Sequence, residues 1–309
     1  MIRRRRSVVR LCSFLLLILL FALFAAAAEN GQTFDGPGGK IYYEVIGTGT
    51  TLILINGGPG FDHSYLHITP AWDALAKTHR VIFYDQRGNG RSSPLKPGQS
   101  CTLADQIEDL DALRAHLGLE KADLLGHSWG GYLAMAYGAR HPERISHLIL
   151  VDSAAPKWSD TLDLTEDVFP EAAEHRAAAA FASEMGDRTA LAASLRGYFS
   201  MLFYSPEKRD AWLAQMSPDA YHDDVYKAVT SDLSRFDLNP EIRKFRFPVM
   251  VANGRHDMNV APVVAYRIHQ AIAGSRFVVF EYSGHLPFYE EPEGFVHAVE
   301  EFLTKSGTN

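Results

Sequence analysis

Seven short apolar runs, residues 41–46, 52–55, 81–84, 122–125, 147–151, 249–252 and 277–282, alternate with stretches of helical periodicity at 103–117, 129–140, 262–272 and 292–302. Several runs are apolar throughout, as strands covered on both faces of a sheet must be. Such alternation specifies an α/β fold with a mainly parallel sheet and helices on both faces. It stops after residue 154 and resumes at 249, and residues 155–240 read as helices with no convincing strand. An insertion that lets the alternation continue afterwards is an inserted helical cap on one sheet. The expected division is therefore 29–154 for the first part of the core, 155–240 for the cap and 241–309 for the second part.

Residues 1–28 stand apart. Arg3, Arg4, Arg5, Arg6 and Arg10 precede an uncharged run that closes on four alanines, Ala25 to Ala28. A basic start, an apolar centre and a small-residue cleavage site make a signal peptide, so the expected location is exported, periplasmic or secreted. An uncleaved leader would instead anchor the chain to a membrane; a cleaved one predicts no stable membrane association. Losing these residues removes five arginines and no acid, which moves the formal charge from −7 to −12. A chain this acidic is a poor ligand for nucleic acid. Cys101 is the one cysteine after the leader, so no intramolecular disulfide forms, and no histidine motif stands beside it to make it a nucleophile.

The chemistry concentrates in loops after strands. Gly126-His127-Ser128-Trp129-Gly130-Gly131 follows the run 122–125 and opens the helix at 129, the strand, turn and helix context in which G-x-S-x-G lifts a serine above the sheet edge. A serine hydroxyl needs a base, and the base needs an orienting acid. Asp257 follows the run 249–252, and His285 sits in a glycine-flanked loop after the last run. Both fit the chain order Ser, Asp, His; Asp152, at the end of an earlier strand, is the alternative acid. Donors to an oxyanion are expected from the backbone N–H groups of Trp129 and of Gly58, within Asn56-Gly57-Gly58-Pro59-Gly60.

At these residues the chain resembles an α/β-hydrolase of the proline iminopeptidase (prolyl aminopeptidase) family. Members carry H-G-G-P-G, D-Q-R-G-x-G-x-S and G-x-S-W-G-G in this order, matched here by residues 56–60, 85–92 and 126–131. The resemblance implies a serine aminopeptidase on the α/β-hydrolase fold, with Ser128, Asp257 and His285 as its triad and no cofactor. Two positions depart from the family. Asn56 replaces a histidine, and Met258 stands where related enzymes have a glutamate that helps hold the substrate's ammonium group. The amine must then be held by an acid of the insertion, which contains fifteen Asp and Glu, eight Lys and Arg and eleven aromatics; Glu166, Glu171, Glu174 and Glu184 are candidates.

The expected substrate is a short peptide losing its N-terminal residue, proline foremost, with a carboxylic ester or lactone as the alternative on the same triad. The complete set of nucleophile, base, acid and oxyanion loop argues against a binding protein on a hydrolase scaffold. Aspartate stands at the nucleophile position in epoxide hydrolases and dehalogenases, so Ser128 argues against those chemistries. His63 and His67 are four apart and could share a helix face, but the sequence offers no third ligand, and no metal site is expected.

Overall fold

The computed structural model describes residues 31–305, apart from Gly186 and the side chains of residues 179, 180, 182–184, 188 and 305. The leader lies outside the described residues. Eight strands form one sheet in the order β1-β2-β4-β3-β5-β6-β7-β8. These are β1 (Gly31–Gly36), β2 (Gly39–Ile46), β3 (Thr50–Ile55), β4 (His79–Tyr84), β5 (Ala122–His127), β6 (Ile145–Val151), β7 (Val249–Gly254) and β8 (Arg276–Phe280). β2 runs antiparallel to β4, and every pairing from β4 to β8 is parallel. All seven apolar runs are strands. β1 was not legible, because in Gly-Gln-Thr-Phe-Asp-Gly only Phe34 is buried.

Successive side chains of a strand point to opposite faces, and the core divides accordingly. Ile53, Ile55, Ile82, Leu124, Leu148, Leu150 and Val251 pack with α2 (Leu103–His116), α3 (Trp129–Arg140) and α10 (Pro262–Ala271). Leu52, Leu54, Val81, Leu125, Ile149, Val151 and Met250 pack with α1 (Ala71–Leu75), α11 (Pro287–Glu290) and α12 (Pro292–Lys305) on the other face. Each such side chain contributes about 1.5–3 kcal/mol of transfer free energy, so the central strands hold the framework rigidly. Cys101 is buried, and burial pushes its thiol up to about 11, which makes it inert as a nucleophile at neutral pH.

Among the described residues, the chain between β6 and β7 forms helices and no strand of the sheet: α4 (Thr165–Val168), α5 (Pro170–Glu184), α6 (Arg188–Ser200), α7 (Pro206–Leu213), α8 (Asp223–Thr230) and α9 (Asn239–Ile242). The described residues from 33 onward cluster as one compact unit, so the insertion is not a separate body.

At the junction of β3, β5 and α3 backbone packs against backbone without room for a side chain. A Cβ on Gly130 would lie 2.0 Å from the carbonyl oxygen of Ile55, and one on Gly126 would lie 2.3 Å from that of Gly130. Neither backbone oxygen can swing aside. Gly130→Ala is therefore expected to destabilise the chain by about 3 kcal/mol or more, measured by urea unfolding, while Gly294→Ala, where a Cβ meets open space, changes stability by less than about 1 kcal/mol.

Candidate active site

Ser128 links β5 to α3 at φ 56° and ψ −120°, a conformation that costs a residue with a side chain free energy. The tertiary structure enforces it. Ser128 N–H donates to the Val151 carbonyl at 2.9 Å, and the Ser128 carbonyl accepts from Gly131 and Ala154 at 3.0 and 3.2 Å. The side chain is thereby lifted toward a pocket of about 40 Å³ that Gly58 and His285 also line.

His285 Nδ1 donates to Asp257 Oδ2 at 2.7 Å, and both residues are buried. Asp257 Oδ1 accepts the backbone N–H groups of Asn259 and Val260 at 2.9 and 3.0 Å, which fixes the carboxylate. With its proton on Nδ1, His285 has Nε2 as an acceptor, and Asn259 Nδ2 lies 3.3 Å from it. Asn259 is oriented in turn by the Tyr198 hydroxyl, which donates to Oδ1 at 2.8 Å. Among the described residues no hydrogen bond joins Ser128 Oγ to His285, although both face the same pocket. An imidazole held this way can take a proton at Nε2 from a hydroxyl that swings toward it.

Asp152 also reaches this cluster but does not contact the imidazole. Its Oδ1 accepts the Gly254 N–H at 2.9 Å, while among the described residues Oδ2 has no partner other than the neighbouring carboxyl. Complete burial and the charge of Asp257 push the Asp152 carboxyl well above its ordinary range. A proton on Oδ2 satisfies that oxygen by donating to Asp257. Hydrogen bonding thus selects Asp257, not Asp152, as the partner of His285.

A second polar chain crosses beneath the glycine loop. His127 Nε2 lies 2.8 Å from the His285 carbonyl, which can only accept, so the proton sits on Nε2. Nδ1 then accepts from the Tyr65 hydroxyl at 2.7 Å, and the Tyr65 oxygen accepts the Gly57 N–H at 2.6 Å. Burial and the proximity of His285 keep His127 well below the usual histidine range, in the neutral form this chain requires. With the Gly57 N–H engaged by Tyr65, Gly58 is the next residue of the loop to line the Ser128 pocket. Asn56 is also structural. Its Nδ2 donates to the Phe61 carbonyl at 2.7 Å, while Gln86 bridges the Asn56 carbonyl to the Trp129 indole at 2.9 and 2.8 Å.

The insertion is tied to the His285 loop. His285 N–H donates to the Leu202 carbonyl at 2.7 Å. Buried Glu290 accepts N–H groups from Ser205 at 2.8 Å and Gly284 at 2.7 Å. A cavity of about 1040 Å³ lies between the insertion and Ser128, with Trp158, Tyr198, Tyr221 and Tyr226 among its lining. Its acids are Asp163 and Asp223.

Glu166, Glu171 and Glu174 are exposed and do not line this cavity; Glu166 is paired with Arg176 instead. The Glu184 side chain lies outside the described residues. Asp163 comes from the segment just before α4, whose ladder to the loop after β7 consists of Leu164 N–H to the Met258 carbonyl at 2.6 Å and Ala261 N–H to the Leu162 carbonyl at 2.9 Å. An aspartate therefore sits beside Met258 in space, a juxtaposition that no local sequence signal encodes. Tyr65, His127 and Asn259 were likewise missed, because each works through a partner distant in sequence.

The sheet, the strained serine turn and the imidazole beside it define a hydrolase of the α/β class. The chain belongs to the α/β-hydrolase family, whose model for the alpha/beta hydrolase fold matches residues 50–292. It is similar to the proline iminopeptidase of Lactobacillus helveticus, at 32% identity covering 86% of this chain and 95% of that protein. It is also similar to the solved structures of an esterase from Exiguobacterium antarcticum (TM-score 0.71, 26% identity, 89% of this chain and 99% of the other) and an enol-lactonase from Burkholderia xenovorans (TM-score 0.67, 25% identity, 88% and 100%).

Because burial beside Asp257 favours the protonated form of Asp152, an amide can replace it as donor. Asp152→Asn is expected to keep kcat/KM within about tenfold of the parent at pH 7.5, whereas Asp257→Asn should lose roughly a thousandfold or more. Steady-state kinetics on any turned-over substrate checks both.

Proposed function

We propose that the chain is a serine aminopeptidase that releases an N-terminal residue, proline foremost, from short peptides. Ser128 Oγ attacks the first carbonyl while His285 Nε2 takes its proton, and Asp257 stabilises the imidazolium that forms. The N–H groups of Gly58 and Trp129 receive the developing oxyanion. His285 then gives its proton to the departing amine, and water resolves the acyl-enzyme by the same steps. Export through the leader, followed by action outside the cytoplasm, completes the reading; the insertion serves as the cap.

The observation that supports a peptide substrate is the pairing of Asp163 with aromatic side chains on the cavity that contains Ser128. An exopeptidase must recognise a free ammonium group at a fixed distance from the nucleophile. Asp163 Oδ1 is held by the N–H and hydroxyl of Thr165 at 2.9 and 2.5 Å, so the carboxylate is oriented before substrate arrives. Asp223 is the weaker candidate, since Lys227 neutralises it at 2.5 Å. Met258 supports the ester or lactone alternative, because the sheet-edge loop offers no acid beyond Asp257, which is engaged by His285.

Two experiments test the reading. Ser128→Ala should abolish turnover of every substrate, at a cost of several powers of ten in rate, with the fold intact by circular dichroism. Blocking the amine of a prolyl anilide should lower kcat/KM about 100-fold or more, and Asp163→Asn should narrow that difference, because the carboxylate proposed to pair with the free ammonium group would be gone. Equal rates on free and blocked substrates by the parent chain would transfer the assignment to an esterase or lactonase.

A further inference from the structure

The 3₁₀ turn His63–His67 carries a second cluster of reactive side chains that hydrolysis does not use. The fold supplies what the sequence lacked, a third ligand from β2. Glu44 Oε1 lies 3.5 Å from His63 Nε2, and Glu44 Oε2 lies 3.3 Å from His67 Nε2. One ligand atom from each of the three residues falls within 4.8 Å of the others. Tetrahedral ligands about 2.0–2.2 Å from one ion stand roughly 3.4 Å apart, so a small closing movement would seat one.

The surroundings are those of metal-ligating histidines. His63 Nδ1 donates to Asp85 Oδ1 at 2.6 Å, which aims Nε2 at Glu44. A carboxylate behind an imidazole fixes its tautomer and raises its basicity as a ligand. Glu44 is oriented as well, accepting the Tyr42 hydroxyl at 2.7 Å. The Arg91 guanidinium reaches Oε1 only at 3.6 Å, a contact that a divalent ion can outcompete. The side chains of His63 and Glu44 are 7% and 19% exposed, and that of His67 is 39% exposed. One side is thus open for entry and for a coordinated water.

We propose that His63, His67 and Glu44 bind a divalent transition-metal ion, with Asp85 as the carboxylate behind His63. Two imidazoles and a carboxylate suit zinc(II). The ion would brace the turn that also carries Tyr65, and through Tyr65 the glycine loop at Gly57. It takes no part in the hydrolytic step, so the proposal stands apart from the substrate assignment.

The competing occupant is a proton. Burial pushes His63 down, but its bonds to Asp85 and Glu44 outweigh that and raise it to about 9, so a metal must displace this proton. The test is calorimetric titration of zinc chloride into the purified, chelator-treated full chain at pH 8. The expected result is one ion per chain, weakened at least about tenfold in His67→Ala and in Glu44→Gln and unchanged in His285→Ala, together with a zinc-dependent rise in Tm that His67→Ala removes. His67 is the most open ligand, so its replacement is the variant least able to disturb the fold; cobalt(II) absorption near 500–650 nm, lost in the same variant, gives a spectroscopic check. Absence of binding, equal binding in both ligand variants, or loss confined to His285→Ala would overturn the proposal.

Discussion

Ser128 is held at a positive φ that its own side chain disfavours, and the surroundings of the site follow from how that conformation is imposed. The turn between β5 and α3 closes only because Gly126 and Gly130 let backbone meet backbone at distances that exclude a Cβ. Such strain costs roughly 1–3 kcal/mol and persists only where packing over-determines it. Two rigid layers supply that packing, since alternate residues of the same strands commit to opposite faces. The strain is local, while the restoring contacts extend through both cores.

Around this turn, buried polar groups are satisfied in chains rather than in isolated pairs. Gly57, Tyr65, His127 and the His285 carbonyl form one such chain, and Tyr198, Asn259, His285 and Asp257 form another. The first fixes the tautomer of His127, and the second leaves His285 Nε2 as an acceptor. A buried group without its partner costs about 1–3 kcal/mol, so either chain resists rearrangement as a unit. The two meet at His285, whose backbone serves one and whose ring serves the other.

The insertion shares these anchors. Leu202 accepts from His285, Glu290 gathers amides from both segments, and the strip at 162–164 is bonded to the loop after β7. Asp163, one residue before the Leu164 N–H that donates to the Met258 carbonyl, is therefore carried to the cavity by the insertion and not by the sheet-edge loop. A carboxylate delivered from an insertion is easily moved in evolution, because helices and loops there are not constrained by sheet register. Substrate recognition is accordingly separable from the bond-breaking apparatus.

The sequence by itself determined the layered α/β architecture, since continuous apolar runs can be buried only between helices, and their boundaries fell within a few residues of the strands. It also determined the serine turn, because G-H-S-W-G-G between a strand and a helix leaves few conformations open, and the loops of Asp257 and His285, because each follows a strand. The tertiary structure decided everything that depends on which loops meet. The choice of Asp257 over Asp152 rests on a hydrogen bond to His285, and the place of Asp163, rather than Glu166, Glu171 or Glu174, on the cavity lining rests on how the insertion is anchored. The meeting of Glu44 with His63 and His67 rests on β2 lying beside β4. The reason is physical: hydrophobic periodicity is a local property that the chain displays residue by residue, whereas the partner of a polar group is set by distances between segments, which exist only after the apolar faces have packed.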